Sequence, residues 1–219
     1  MHGLEEKLGS IHAELTEQIR LVDSMVQSAY RSMRERCIGT AEEVRRMERI
    51  INAREIQIEE SCLTVLALQQ PVASDLRRIA AAIKINSELE RIADLALNLT
   101  ERSESLLDHP DVDVPSTITQ MIRFALEMLG NAGKSYTQED SSLARFVCES
   151  DTTLDEMNRD LIASLLSSIE TDPSNASAYL HIFSASRIIE RIGDLATNIA
   201  EDVEYMVEGE ITRHGQLAG

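Results

Sequence analysis

The stretch Glu90-Arg91-Ile92-Ala93-Asp94-Leu95-Ala96-Leu97-Asn98-Leu99-Thr100-Glu101 decides the fold. It returns one hundred residues later as Glu190-Arg191-Ile192-Gly193-Asp194-Leu195-Ala196-Thr197-Asn198-Ile199-Ala200-Glu201. On a helix turning about 100° per residue, Asp94, Asn98 and Glu101 lie about 40°, 80° and 20° from Glu90. The four oxygen-bearing side chains form one axial stripe. Leu89, Ile92, Ala93, Leu95, Ala96 and Leu99 gather almost opposite it. In the second copy Ile189, Ile192, Leu195, Ala196 and Ile199 do the same. Each copy is expected to be a helix that buries one face and shows a row of carboxylates on another.

Working outward, the composition fits that reading. The chain has 219 residues, 3% aromatic, no Trp, and only 9 Gly and 4 Pro. Such a chain suits long helices rather than sheets, which favour β-branched and aromatic residues at period two. Its net charge of −17, from 38 acids and 21 bases, argues against binding the phosphate backbone of nucleic acid. Residues 1–109 hold 19 acids and 14 bases, residues 110–219 hold 19 and 7, so the second half is the more acidic. Cys37, Cys62 and Cys148 are odd in number and show no C-x-x-C spacing, which fits a reducing cytoplasm. No apolar run approaches the roughly 20 residues that cross a bilayer, and the N-terminus has no signal-peptide pattern.

The periodicity predicts six helices. Leu4, Leu8, Ile11, Leu15, Ile19, Val22 and Met25 recur at three- and four-residue steps and predict a first helix to about Arg36, stopping near Gly39. Thr40-Ala41-Glu42-Glu43 has capping-box spacing and opens a second, ending at Gln69-Gln70-Pro71. Ser74-Asp75 starts a third, running to about Leu107. His109-Pro110-Asp111-Val112-Asp113-Val114-Pro115 reads as a linker. A fourth helix is expected from Ser116 to about Ala132. Thr137-Gln138-Glu139-Asp140 is expected to cap a fifth, lasting to about Glu170. Asp172-Pro173 opens a sixth through Val207. The fold class is therefore all-α, an internal duplication into two pseudo-symmetric three-helix bundles, residues 1–108 and 116–208, with a loosely ordered tail at 209–219.

Two further oxygen rows follow. Glu48, Asn52, Glu55 and Glu59 share a face of the second helix, and Asp151, Asp155 and Asn158 share a face of the fifth. Glu48-x-x-x-Asn52 and Asp151-x-x-x-Asp155 are counterparts within the duplication. If each row packs beside its bundle's Glu-x-x-x-Asp row, a site for Mg, Ca, Mn, Fe or Zn results, because hard oxygen donors and relief of like-charge repulsion favour a cation. A solvated helix face is the competing explanation, with Arg91 pairing to Glu88 or Asp94 and Arg191 to Asp194. A di-metal carboxylate enzyme is a third possibility, but the Glu-x-x-His motif of ferritin-like sites is missing and His181 points away from the row. No Walker A loop, G-x-G-x-x-G, H-E-x-x-H or G-x-S-x-G occurs.

Gln70-Pro71-Val72-Ala73-Ser74-Asp75-Leu76-Arg77-Arg78 followed by Leu89-Glu90-Arg91-Ile92-Ala93-Asp94 resembles the PhoU family of phosphate-transport regulators. Ile189-Glu190-Arg191-Ile192-Gly193-Asp194 with Asn198-Ile199-Ala200-Glu201 is similar to the same signature in its second half. Gly209-x-x-x-Arg213-His214 resembles its tail. The resemblance implies a non-enzymatic negative regulator of phosphate uptake and phosphate-starvation signalling. It implies a link between the ATPase subunit of a phosphate ABC transporter and a PhoR-type sensor histidine kinase, or service to a phosphate symporter. It also implies cytoplasmic location, peripheral association with membrane complexes and a homodimer. The metal-binding positions it implies are Glu48, Asn52, Glu90, Asp94, Asp151, Asp155, Glu190 and Asp194, holding a divalent or ferric ion such as Fe, Zn, Mn or Mg. Asn52 stands where an acid is usual, which makes the first half the expected weaker site.

Overall fold

The computed structural model describes residues 2–35 and 39–209. Its helices are α1 (His2–Glu35), α2 (Gly39–Gln69), α3 (Ala73–Ser105), α4 (Ser116–Gln138), α5 (Ser141–Thr171) and α6 (Ala176–Glu208). Short 3₁₀ turns at Leu106–Asp108 and Pro173–Asn175 lead out of α3 and into α6. The described residues contain no strand. Two three-helix bundles result, as the repeat predicts.

The termini show why the helices stop where they do. Asp140 caps α5, its Oδ1 accepting from the backbone N–H groups of Ser142 at 2.9 Å and Leu143 at 3.1 Å. Gly209 ends α6 at φ 79°, a left-handed conformation that costs glycine little. The expected tail lies outside the described residues beyond that point, as do 36–38 between α1 and α2. Two boundaries differ from expectation: Asp172-Pro173 opens a 3₁₀ turn and α6 itself begins at Ala176, and α4 does not end at Ala132 but runs to Gln138. Gly133 is a point of close packing, not a stop. A Cβ built there would stand 2.6 Å from Ile19 Cγ2 on α1.

The two bundles share a seam. α3 packs on α1, α2 and α6, while α6 packs on α3, α4 and α5. The motif helices therefore sit at the centre, and α2 and α5 flank them. Lys84 Nζ lies 3.2 Å from Asp202, and Asn198 Nδ2 donates to Glu88 Oε1 at 3.5 Å, which fixes α3 and α6 antiparallel with residue 93 level with 193. Leu89, Ile92, Ala96 and Leu99 on α3, with Ile189, Ile192, Leu195 and Ile199 on α6, are at most 1% exposed. They belong to one core continuous across both repeats. Burying side chains of this size stabilises by about 1.5–3 kcal/mol each. The helix faces opposite this core are the ones that carry the oxygen rows.

The repeats are fastened differently. In the first, Gln18 is fully buried between α1 and α2; its Nε2 donates to the Ile51 carbonyl at 2.9 Å and its Oε1 accepts from Arg54 Nε at 3.1 Å. At the matching places the second repeat has Met121, buried in the core, and Met157, half-buried against it.

Candidate functional site

α2 runs antiparallel to α3, with Arg45 on Glu104 at 3.0 Å and Asn86 Nδ2 donating to the Glu55 carbonyl at 2.9 Å. This brings the α2 row against the α3 row. Glu48, Asn52, Glu55 and Glu90 are half-buried and Asp94 is exposed at its rim. Burial pushes the Glu90 carboxyl above its ordinary range, and the negative charges of Asp94, Glu55 and Glu48 push it further, while Arg91 pulls back. Burial also raises Glu55, with Glu59 adding to it. Asn52 donates its amide N–H to Glu48, which leaves the Asn52 Oδ1 buried without a hydrogen-bond partner.

The second groove forms the same way between α5 and α6. Asp151, Asp155, Glu190 and Asp194 are all half-buried, and Asn158 is buried beneath them. Burial raises Asp151, followed by Asp194 and Asp155; Thr197, donating to its Oδ1 at 3.5 Å, acts against them. Burial raises Glu190 as well, with Arg187 opposing and Asp194 and Asp155 reinforcing. Asn158 Oδ1 is a second buried amide oxygen without a partner. Orphaned acceptors are rare in folded proteins, and both of these lie beside carboxylates whose pKa burial raises.

The eight expected positions are thus brought together in two groups of four, one per bundle. Glu55 joins the first group as a fourth carboxylate. Its place in the α2 row is visible in the sequence, but its approach to Glu90 depends on how α2 and α3 face each other. Asn98 and Asn198 do not complete the groups: Asn98 is exposed and Asn198 reaches across the seam to Glu88. His181 lies against the linker, its ring 6.1 Å from that of His109, away from both grooves. Burial, then the charges of Arg102 and His109, lower its pKa.

Among the described residues no three Asp, Glu, His or Cys side chains converge tightly enough to hold an ion as they stand. Arginines on the same helices hold two of them. Arg187 holds Glu190 at 3.0 Å and Arg191 holds Asp194 at 2.9 Å. In the first repeat Arg91 takes Glu88 at 2.9 Å and leaves Asp94 aside, because α6 has Ile188 where α3 has Glu88. Such exposed three-residue pairs are worth only about 0.2–0.5 kcal/mol each.

These features define a class: an internally duplicated six-helix protein with one acidic groove per repeat and no described helix long and apolar enough to cross a membrane. The PhoU domain family model matches residues 15–103 and again 118–203. The chain belongs to the PhoU family. It is 34% identical over 214 residues to a phosphate-specific transport system accessory protein PhoU homolog of Aquifex aeolicus, covering 98% of this chain and 97% of that one. A homolog of the same description from Pseudomonas aeruginosa is 34% identical over 216 residues, covering 95% of this chain and 86% of the other. The crystal structure of PhoU from Pseudomonas aeruginosa superposes with a TM-score of 0.90 at 32% identity, over 94% of this chain and 99% of that one. The phosphate transport system regulatory protein PhoU from Streptococcus pneumoniae shares the fold, with a TM-score of 0.86 at 23% identity over 95% and 98% of the two chains.

Proposed function

We propose that this protein is a non-enzymatic accessory regulator of a phosphate-specific transporter, acting at the cytoplasmic face of the membrane as a pair of copies. It holds phosphate-starvation signalling off when phosphate is plentiful by linking the transporter's ATPase subunit to a sensor histidine kinase. The observation that carries this reading is the double acidic groove, set in a chain whose relatives are named as phosphate-transport accessory proteins.

Divalent or ferric ions enter each groove through Glu48, Asn52, Glu90 and Asp94, with Glu55, and through Asp151, Asp155, Glu190 and Asp194. A bound ion would supply positive charge that offsets four clustered carboxylates and draws two helices of one bundle together. The chain's own part is to present those oxygens and to release the arginine pairs that hold them apart. Each groove then becomes less negative by the charge of its ion, which alters what can dock on it.

The test is co-purification of the tagged full chain with the transporter ATPase and the kinase, from cells grown in high and low phosphate. Recovery of either partner that changes with phosphate supports the reading. Recovery of neither under both conditions would sink it.

A further inference from the structure

Beyond Asn158 and Glu190 the second groove changes character. On α5, Ile162 and Leu166 continue the stripe of Asp151, Asp155 and Asn158, all within about 80° of one another around the helix. On α6, Phe183 and Leu180 continue the stripe of Glu190 and Asp194 within the same arc of about 80°. Leu166 is 59% exposed, Leu180 58% and Phe183 38%, while Ile162 is half-buried. Thr197 meets Asp151 toward one end of the helix pair, and Tyr179 Oη donates to Asp172 Oδ2 at 3.3 Å at the other. The two helices therefore run antiparallel with Leu166 about level with Ile182, and the three exposed side chains stand together. No Asp, Glu, Lys or Arg occurs at 161–169 or 173–186 to interrupt them.

Exposed apolar residues scattered singly are ordinary on a protein surface. These are gathered on two adjacent helices and lie in line with four carboxylates. Asp151, Asp155, Glu190 and Asp194, set against Arg187 and Arg191, leave that end of the groove net negative. The first repeat lacks the combination. At the places of Ile162, Leu166, Leu180 and Phe183 it has Glu59, Leu63, Ala80 and Ile83. An acid stands there where the apolar stretch would begin, and Ala80 leaves little to cover.

We infer that the second groove is the seat of a helical segment of a partner protein, with lysines or arginines in one half and large apolar side chains in the other. The carboxylates take the basic half; Leu166, Leu180 and Phe183 take the apolar half. α4 already packs along the other side of the α5–α6 pair, so a seated helix completes the enclosure of both. From Asp151 to Leu166 α5 rises about 23 Å, which accommodates about 16 helical residues. Both halves of the groove are needed to select its occupant. A wholly apolar segment would leave the carboxylates desolvated without a partner, and a wholly basic one would leave the patch in water. An anionic membrane is repelled by the same carboxylates. The basic half and a metal ion compete for these oxygens, so an ion in the groove displaces the segment. That competition rests on the reading that cations enter the groove; the seat itself does not.

Selection in chelator from a random phage library of peptides about 16 residues long, against the immobilised full chain, tests the seat. The expected winners carry Lys or Arg in one half and Leu, Ile or Phe at three- and four-residue steps in the other. Titrated as synthetic peptides, they lose at least about tenfold in affinity for Leu166→Asp and Phe183→Asp and at least about threefold for Asp155→Asn, with melting curves confirming that each variant is folded. Leu63→Asp, at the matching place in the first repeat, leaves the affinity unchanged. No enrichment over an uncoated surface, winners without that division, or winners indifferent to the three variants overturn the seat. So does a Leu166→Asp chain that instead loses self-association or binding to phosphatidylglycerol vesicles, which gives the patch to a second copy or a membrane. Saturating Mn²⁺ should weaken peptide binding at least about tenfold. Mn²⁺ that binds the second groove yet leaves the peptide in place overturns the competition. Mn²⁺ that does not bind at all overturns the cation reading and not the seat.

Discussion

The two acidic grooves reach the same charge by different routes. On α2 the order is acid, amide, acid, as Glu48, Asn52 and Glu55; on α5 it is acid, acid, amide, as Asp151, Asp155 and Asn158. The amide has moved by one helical turn; each groove keeps four carboxylates and an orphaned amide oxygen on its flanking helix, and the first has a second on α3, Asn86 Oδ1. What differs is the surroundings. Both carboxylates of the α6 motif are held by arginines, whereas on α3 Arg91 turns to Glu88. The two grooves therefore differ less in their count of acids than in the arginines that pair with the second.

The comparison can be broken at several points. The largest effects lie beneath the grooves. A Cβ on Gly193 would stand 2.3 Å from Leu154 Cδ2, so Gly193→Ala should cost about 1–3 kcal/mol by overpacking, of which helix propensity returns about 1 kcal/mol. The reverse change in the first repeat, Ala93→Gly, should cost about 1 kcal/mol of helix propensity and about 1 kcal/mol for the lost buried methyl. Urea unfolding of both variants checks the pair, and equal losses would mean the repeats pack alike. Gln18→Met, which copies the second repeat's solution, should lose about 1–3 kcal/mol by stranding the Arg54 Nε and the Ile51 carbonyl. A neutral outcome would show that the buried clip contributes nothing beyond its volume.

Next comes pH. Glu55, Glu90, Asp151 and Glu190 are all raised, so between their unfolded and folded pKa values the folded chain binds more protons than the unfolded one. Their contribution is therefore most favourable below the ordinary carboxylate pKa and is lost as pH rises through the folded values. With cations removed, thermal stability should increase as pH falls from neutrality toward the ordinary carboxylate range. Saturating Mn²⁺ should flatten that slope. A cation-free melting temperature that falls over this interval would contradict the crowding of like charges in the grooves.

The smallest effect concerns the arginines. Arg187→Ala should change stability by no more than about 0.2–0.5 kcal/mol. It should strengthen cation binding at the second groove, by releasing Glu190. Unchanged affinity in a calorimetric titration would show that the ion pair does not restrain the carboxylate.

Much of this was readable before any coordinates. The helices and the duplication follow from three- and four-residue apolar spacing, and Glu90, Asp94, Glu190 and Asp194 fall into place because a helical face is local information. The end of α4 was not readable, since Gly133 looks like a stop until Ile19 is seen pressed against it. Nor could the sequence say that Arg91 chooses Glu88 over Asp94, because both stand three residues away. The approach of Glu55 to Glu90 depends on how α2 faces α3, which no single helix records.

The central claim is that two grooves of equal charge take up cations independently. The most direct measurement is a calorimetric titration of Mn²⁺ into wild type, Glu90→Gln/Asp94→Asn and Glu190→Gln/Asp194→Asn, with melting curves confirming that each is folded. The account predicts binding at both grooves in wild type and loss of one groove's share in each double variant. No binding to wild type, or the same stoichiometry in all three proteins, would contradict it.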